Sequence, residues 1–158
     1  MILDLDRCVE CWSCSAACFY GHYASDVVMK GSAGGVTLPL VCRQCDDPAC
    51  VAVCPAEAMT RDEAGLVRRA TALCRGCGSC VRACPFGVLA PQMVKRQVAK
   101  CDLCADRVTA GADPRCTAAC PTGALRFVEP EAAPGGAAEE KILVLSGRAV
   151  GHHPMRRR

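Results

Sequence analysis

Cys74-Arg75-Gly76-Cys77-Gly78-Ser79-Cys80-Val81-Arg82-Ala83-Cys84-Pro85 is the stretch whose reading decides the fold. Its spacing is C-x2-C-x2-C-x3-C-P. Three thiols share one tight loop, a fourth follows, and a proline stops the turn. Three further groups of four repeat the theme: Cys8-x2-Cys11-x2-Cys14-x3-Cys18, Cys42-x2-Cys45-x4-Cys50-x3-Cys54-Pro55, and Cys101-x2-Cys104-x11-Cys116-x3-Cys120-Pro121. Together they use all 16 cysteines of the 158 residues. The pattern is an internal repeat of a short metal-binding unit, with loops of different length inserted.

An iron–sulfur cubane needs a thiolate on each of four irons. Three cysteines spaced C-x2-C-x2-C reach three of those irons from one loop, and the fourth thiolate comes from elsewhere. In two-cluster ferredoxins the fourth cysteine of such a run ligates the other cluster. The third group fits that run residue for residue. Pro55, Pro85 and Pro121 each fix a backbone angle and offer no N–H, which holds the remote cysteine in place. Cys18 is followed by Phe19 and lacks this restraint.

A zinc-binding structural protein is the alternative from another class, since C-x2-C pairs also make zinc sites. Zinc sites usually come as two pairs, unlike the run at 74–85. A disulfide framework would need small strained loops between C-x2-C neighbours. A catalytic cysteine is disfavoured because none of the 3 histidines lies inside a cysteine group. A C-x3-C-x2-C radical motif is absent: Gly21, Glu57, Gly87 and Gly123 stand three residues beyond the fourth cysteines.

The start of the chain, Met1 to Cys8, has no basic, apolar or cleavage region of a leader. A cytoplasmic location is therefore expected, where dense thiols bind metal rather than pair. The longest uncharged stretch, Cys11 to Ser25, is too short to span a membrane. Aromatic residues make up 4% of the chain, few for a core of this size, and clusters would fill that interior. The formal charge of +3 becomes roughly −5 with four clusters at about −2 each. Nucleic-acid binding is not implied by the basic composition.

The expected fold class is α+β and loop-rich. Ala58–Arg69 reads as strand, turn and strand, with Asp62–Gly65 as the turn. Short strands are expected at Met1–Leu5, Gln97–Lys100 and Ala124–Val128, and short helices after the third cysteine of each group. Asp102–Ala110 is the expected longer helix, stopped by Gly111. The insertion Phe19–Val41 carries Gly31-Ser32-Ala33-Gly34-Gly35, which lacks the lysine of a phosphate-binding loop and reads as a flexible loop. Glu129–Lys141 reads as a linker, Lys141–Ser146 as an apolar strand that packs back or joins a partner's sheet, and His152–Arg158 as a tail.

Cys84-Pro85-Phe86-Gly87, Lys100-Cys101-Asp102-Leu103-Cys104 and Cys116-Thr117-Ala118-Ala119-Cys120-Pro121-Thr122-Gly123-Ala124-Leu125 resemble the four-cluster iron–sulfur subunits of molybdenum and tungsten oxidoreductases. Relatives of that kind serve hydrogenases and carbon monoxide dehydrogenases. The resemblance covers residues 1–128 and implies two nested dicluster modules of the bacterial-ferredoxin kind. The inner module is about 42–85, the outer one comes from 1–41 and 86–128, and 129–158 is a docking segment. The implied inner ligand sets are Cys42, Cys45, Cys50 with Cys84, and Cys74, Cys77, Cys80 with Cys54. The outer sets are Cys8, Cys11, Cys14 with Cys120, and Cys101, Cys104, Cys116 with Cys18. Some members of that family lose a fourth-group cysteine and hold a three-iron cluster; here Cys104 and its neighbours are present, so four [4Fe–4S] clusters are expected.

The implied role is non-catalytic one-electron relay. One partner is a molybdenum- or tungsten-pterin subunit, of aldehyde oxidoreductase or formate dehydrogenase type. The other is a flavin subunit or a ferredoxin. A nickel hydrogenase or carbon monoxide dehydrogenase is the alternative partner, and self-stacking of copies through exposed end clusters is permitted. Arg7, Arg43, Arg75, Arg82 and Lys100 flank ligands. Arg75 and Lys100 are the candidates for raising cluster potentials, against the reading that such charges pair with Asp46, Asp47 or Asp102.

Overall fold

The computed structural model describes residues 1–22, 29–33, 36–95, 99–128 and 142–144, as backbone only for 29–33, 36–40 and 142–144. Its frame is α+β: short helices and two- or three-stranded sheets joined by ligand loops. Among the described residues no helix is long and apolar enough to cross a membrane.

Each cysteine group begins with a loop that turns left-handed one residue before its second cysteine. Glu10 (φ 52°), Gln44 (φ 51°), Gly76 (φ 74°) and Leu103 (φ 60°) occupy this equivalent position. Three of the four are not glycine, so the loops hold backbone conformations that cost L-residues about 1–2 kcal/mol each. A helix then starts at the residue before the third cysteine, not after it as the sequence suggested. These helices are α1 (Ser13–Gly21), α2 (Ala49–Ala52), α3 (Ser79–Ala83) and α6 (Arg115–Ala118). The loop ends at left-handed Trp12 and Gly78, or at extended Pro48 and Pro114, and the third thiol springs from the first helical turn.

The fourth cysteines divide by the residue after them. Beyond Cys54, Cys84 and Cys120, each before proline, the chain closes a three-residue turn. The N–H groups of Glu57, Gly87 and Gly123 return to the carbonyls of those cysteines at 3.2, 3.2 and 3.3 Å. Cys18 lacks the proline and lies inside α1, which runs on until His22 N–H bonds the Cys18 carbonyl at 3.1 Å. A helix thus supplies the restraint that proline supplies elsewhere. At nine residues α1 is the longest described helix. The helix expected over Asp102–Ala110 is shorter, α5 (Ala105–Thr109), because left-handed Cys104 delays its start. Gly111, at φ 76°, follows it as expected. Pro91 opens a further turn, α4 (Pro91–Val94), at the position where a missing N–H costs nothing.

The hairpin over Ala58–Arg69 is present as β4 (Met59–Arg61) and β5 (Val67–Arg69), paired antiparallel. Asp62 ties its turn: its carboxylate accepts the Leu66 N–H at 2.8 Å and its carbonyl accepts the Gly65 N–H at 2.9 Å. Residues 29–40, expected as flexible loop, instead form a two-stranded sheet of β2 (Met29–Ala33) and β3 (Val36–Leu40). Val36, Thr37, Leu38 and Leu40 suit a pleated surface better than the glycines alone suggested. The strand expected at Gln97–Lys100 is not one at 99–100, and the rest of it lies outside the described residues.

β1 (Ile2–Asp4) is the middle strand of a third sheet, between β6 (Leu125–Arg126) and β7 (Ile142–Val144), both antiparallel to it. The C-terminal strand therefore packs back on this chain. The expected linker at 129–141 and the tail lie outside the described residues. Two cores result. One joins Leu3, Val41, Ala124 and Leu125 around Cys116; the other joins Met59, Val67, Leu89 and Met93 around Cys80. α1 packs on α6 and α2 on α3. The first group's helix therefore meets the fourth's, and the second group's meets the third's.

Candidate metal centres

None of the sixteen thiols is in a disulfide. In space they gather as four sets, each with three thiols from one group and the fourth from another. Cys54, Cys74, Cys77 and Cys80 line a cavity of about 340 Å³, here called the Cys74 set. Cys8, Cys11, Cys14 and Cys120 line one of about 410 Å³ against Leu3, Trp12 and Leu125, the Cys8 set. Cys42, Cys45, Cys50 and Cys84 face one another as the Cys42 set. Burial pushes Cys50 up to about 11, opposed by Lys100 and helped by the charges of Cys42, Cys84 and Cys45. Cys101, Cys104, Cys116 and Cys18 form the Cys101 set. There burial pushes Cys116 up to about 12, with Cys101, Cys18 and Cys104 adding repulsion.

The sets differ in exposure. Cys11 and Cys77 are exposed, whereas Cys18, Cys42, Cys80, Cys104 and Cys116 are buried. The two exposed thiols have matching surroundings. The Cys11 sulfur lies 3.4 Å from the Ser13 hydroxyl, and the Cys77 sulfur lies 3.5 Å from the Ser79 hydroxyl. The Ser13 hydroxyl and then its N–H hold Cys11 below the usual thiol range. At Cys77 the Ser79 N–H acts first and the hydroxyl second. The C-x-S signature at 11–13 and 77–79 is visible in the sequence, but cubane spacing alone does not single it out. Cys101 is the opposite case, pushed up to about 12 by burial against the Leu103 N–H.

The cations divide likewise. Lys100 is buried at 8% exposure and donates to the Cys101 carbonyl at 2.9 Å and to the Val67 carbonyl. Arg75 is exposed on the rim of the Cys74 cavity, and Arg7 is exposed on the surface. Arg43 stacks on Phe86 at 4.7 Å, tying the loop of Cys42 and Cys45 to the segment that delivers Cys84. Arg82 reaches the Cys77 carbonyl and the Ser79 hydroxyl, each at 3.5 Å. Asp46 pairs with Arg61 at 2.8 Å rather than with a ligand-flanking cation.

Three side chains near thiols escape a reading of the sequence. Arg69 Nη1 stands 3.9 Å from the Cys74 sulfur and donates to the Met93 carbonyl. His22 Nε2 stands 3.7 Å from the Cys104 sulfur. Gln44 is buried at 6% exposure between two ligand loops. No spacing rule gives any of them its partner, although Gln44 stands inside the Cys42–Cys45 loop and Arg69 five residues before Cys74.

Four thiols around each cavity fit a [4Fe–4S] cluster. Among the described residues no three Cys, His, Asp or Glu side chains converge on a point that a single metal ion would fill. A cubane instead spreads its thiolates over the corners of a larger body. Backbone N–H groups turned toward sulfur, such as Leu125 N–H on Cys120 at 3.4 Å, favour the anionic charge of such a group.

Thiols in fours on a small α+β frame define an iron–sulfur protein of the ferredoxin-like class. The chain belongs to the 4Fe-4S dicluster domain family, whose description it matches over residues 33–130. It is 37% identical over 114 residues to a tetrathionate reductase subunit of Archaeoglobus fulgidus, covering 68% of this chain and 55% of that one. It is 37% identical over 143 residues to the thiosulfate reductase electron transfer subunit of Salmonella typhi, covering 80% and 73%. It is 35% identical over 144 residues to an anaerobic dimethyl sulfoxide reductase chain of Escherichia coli, covering 79% and 70%. The chain spans about half the length of the Archaeoglobus relative. The cofactors are [4Fe–4S] clusters, and sixteen cysteines provide for four.

Proposed function

We propose that this chain is the electron-transfer subunit of a molybdenum- or tungsten-pterin oxidoreductase complex, and has no catalytic site of its own. The observation that carries the reading is the serial arrangement of the four thiol sets. Cys14 of the Cys8 set faces Cys116 of the Cys101 set. Cys42 faces Cys101, and its N–H bonds the Cys101 sulfur. Cys50, Cys54, Cys80 and Cys84 pack around one core. The order is therefore Cys8 set, Cys101 set, Cys42 set, Cys74 set, with exposed Cys11 and Cys77 at the two ends.

In this proposal each set holds one cluster with the ligands named above, in two nested modules. Bound clusters supply one-electron chemistry at graded potentials. The chain's own part is to fix their separations, bury the middle two and present the end two to partners. The insertion Phe19–Val41 and the segment after Glu129 are assigned to partner contacts. A cytoplasmic location is part of the proposal.

An aldehyde oxidoreductase or formate dehydrogenase type of catalytic partner, with a flavin subunit or ferredoxin as second carrier, is the first reading. A second is favoured by the relatives, which are subunits of tetrathionate, thiosulfate and dimethyl sulfoxide reductases. Anaerobic isolation through this chain, followed by metal analysis, tests the proposal. About sixteen irons per chain with equal sulfide, and molybdenum or tungsten in the complex, are expected. Nickel would transfer the chain to a hydrogenase or carbon monoxide dehydrogenase, and zinc with little iron would end the proposal. Bleaching of the visible absorbance by formate or an aldehyde, against reoxidation by thiosulfate, tetrathionate or dimethyl sulfoxide, separates the two readings.

A further inference from the structure

Val67 lies where the two middle thiol sets meet. Its N–H donates to Gln44 Oε1 at 2.7 Å, and its carbonyl accepts from Lys100 Nζ. The Cys101 carbonyl accepts from both partners, from Gln44 Nε2 at 2.9 Å and from Lys100 Nζ at 2.9 Å. These groups close a ring of hydrogen bonds in the interior. The ring ties the ligand loop of Cys42 and Cys45 to the hairpin strand β5 and to the ligand loop of Cys101.

Two backbone carbonyls satisfy donors of Lys100 and leave its charge uncompensated. The ion pairs among the described residues join Arg61 to Asp46, Arg68 to Asp62 and Arg115 to Asp106; none involves Lys100. A buried ammonium without an opposite charge is strongly disfavoured. The groups of opposite charge that face it once clusters are bound are ligand sulfurs, Cys50 from one middle set and Cys101 from the other.

We propose that Lys100 is the shared counter-cation of the two middle clusters, held between them by the Val67 and Cys101 carbonyls that Gln44 braces, and that it raises the potentials of both. The proposal rests on the ligand sets assigned above. Reduction adds a negative charge to a cluster, so a fixed positive charge beside two clusters stabilises the electron on either. The same ammonium lies between donor and acceptor of the middle step, which keeps that step closer to balanced. Arg75, exposed and beside one end set, is screened by water and exerts less of this effect.

The test uses the full chain, isolated without oxygen with its clusters, as wild type, Lys100→Met, Lys100→Arg and Gln44→Glu. Each is assayed for iron and sulfide and then titrated by EPR against potential. Lys100→Met is expected to keep its iron and to lower two of the four potentials, each by about tenfold in the one-electron equilibrium constant, or 59 mV. Lys100→Arg is expected to restore them. Gln44→Glu, which sets a negative charge against the ammonium, is expected to lower the same two and decides the matter if Lys100→Met sheds iron. Four unmoved potentials at full iron content in Lys100→Met, or two unmoved middle potentials in Gln44→Glu, overturn the proposal. Low iron in the wild type would instead overturn the ligand sets and the relay reading beneath it.

Discussion

Gln44 reaches across 57 positions of sequence to the Cys101 carbonyl, its Nε2 donating at 2.9 Å. Its Oε1 meanwhile accepts the Val67 N–H at 2.7 Å. One amide thereby couples the loop of Cys42 and Cys45 to that of Cys101, and it does so from a left-handed backbone position that glycine could fill but could not use in this way.

Gln44→Ala removes both bonds and leaves the buried Val67 N–H without its acceptor. The expected loss of stability is about 1–3 kcal/mol. Chelator-driven iron release, followed by the loss of visible absorbance, should speed up for the two middle clusters first. Unchanged release would mean that Gln44 is a spectator.

Shared ligation makes a prediction about pairs of substitutions. Cys54→Ala with Cys74→Ala strikes a single thiol set and should alter one cluster signal. Cys54→Ala with Cys42→Ala strikes two sets, although Cys54 and Cys42 belong to the same sequence group. It should alter two signals in the EPR spectrum of the reduced protein. Two altered signals in the first double and one in the second would place the fourth cysteines within their own groups.

Gly76 sits at φ 74°, and a Cβ there would stand 3.0 Å from the Val94 carbonyl oxygen. Gly76→Ala therefore meets both backbone strain and a close contact, at a cost of about 1–2 kcal/mol. The damage should fall on the Cys74 set, read as about four of sixteen irons released early under chelation. Equal release from all four sets would reject a local effect.

The thiol pKa shifts give a pH prediction for the cluster-free chain. Cys101 and Cys116 are pushed up to about 12 by burial, above the ordinary value of 9.0. The unfolded chain then loses those protons first, so this contribution to the stability of the cluster-free fold is present below pH 9 and is lost as pH rises toward 12. Cluster insertion demands thiolates, so it releases protons and grows more favourable with rising pH. Cys11 and Cys77 are shifted down and exposed. Alkylation at pH 8, read by peptide mass mapping, should modify these two about a hundredfold faster than Cys101 and Cys116. Equal rates would show that the buried pair is open to solvent without its cluster.

Much of the frame was legible because it is written in local spacing. The hairpin at Ala58–Arg69 follows from Asp62 and Gly65, and the stop after α5 follows from Gly111. The strands at 2–4 and 125–126 follow from short apolar runs. The sheet of 29–33 with 36–40 was not legible, because a glycine-rich segment hides strands that only their mutual pairing reveals. The helix starts were missed by two or three residues, because left-handed Trp12 and Cys104 obey the ligand loop rather than helix propensity.

The sequence by itself determined that sixteen thiols come in four groups of four, and hence that the chain carries cubane iron–sulfur chemistry. Covalent spacing dictates how three thiols of one loop can stand. Only the tertiary structure decided that Lys100 is buried while Arg75 is exposed, and that Gln44 bridges the ligand loop of Cys42 and Cys45 to that of Cys101. Those relations join residues tens of positions apart, and only the packing of the two cores brings them within hydrogen-bonding and charge–charge range.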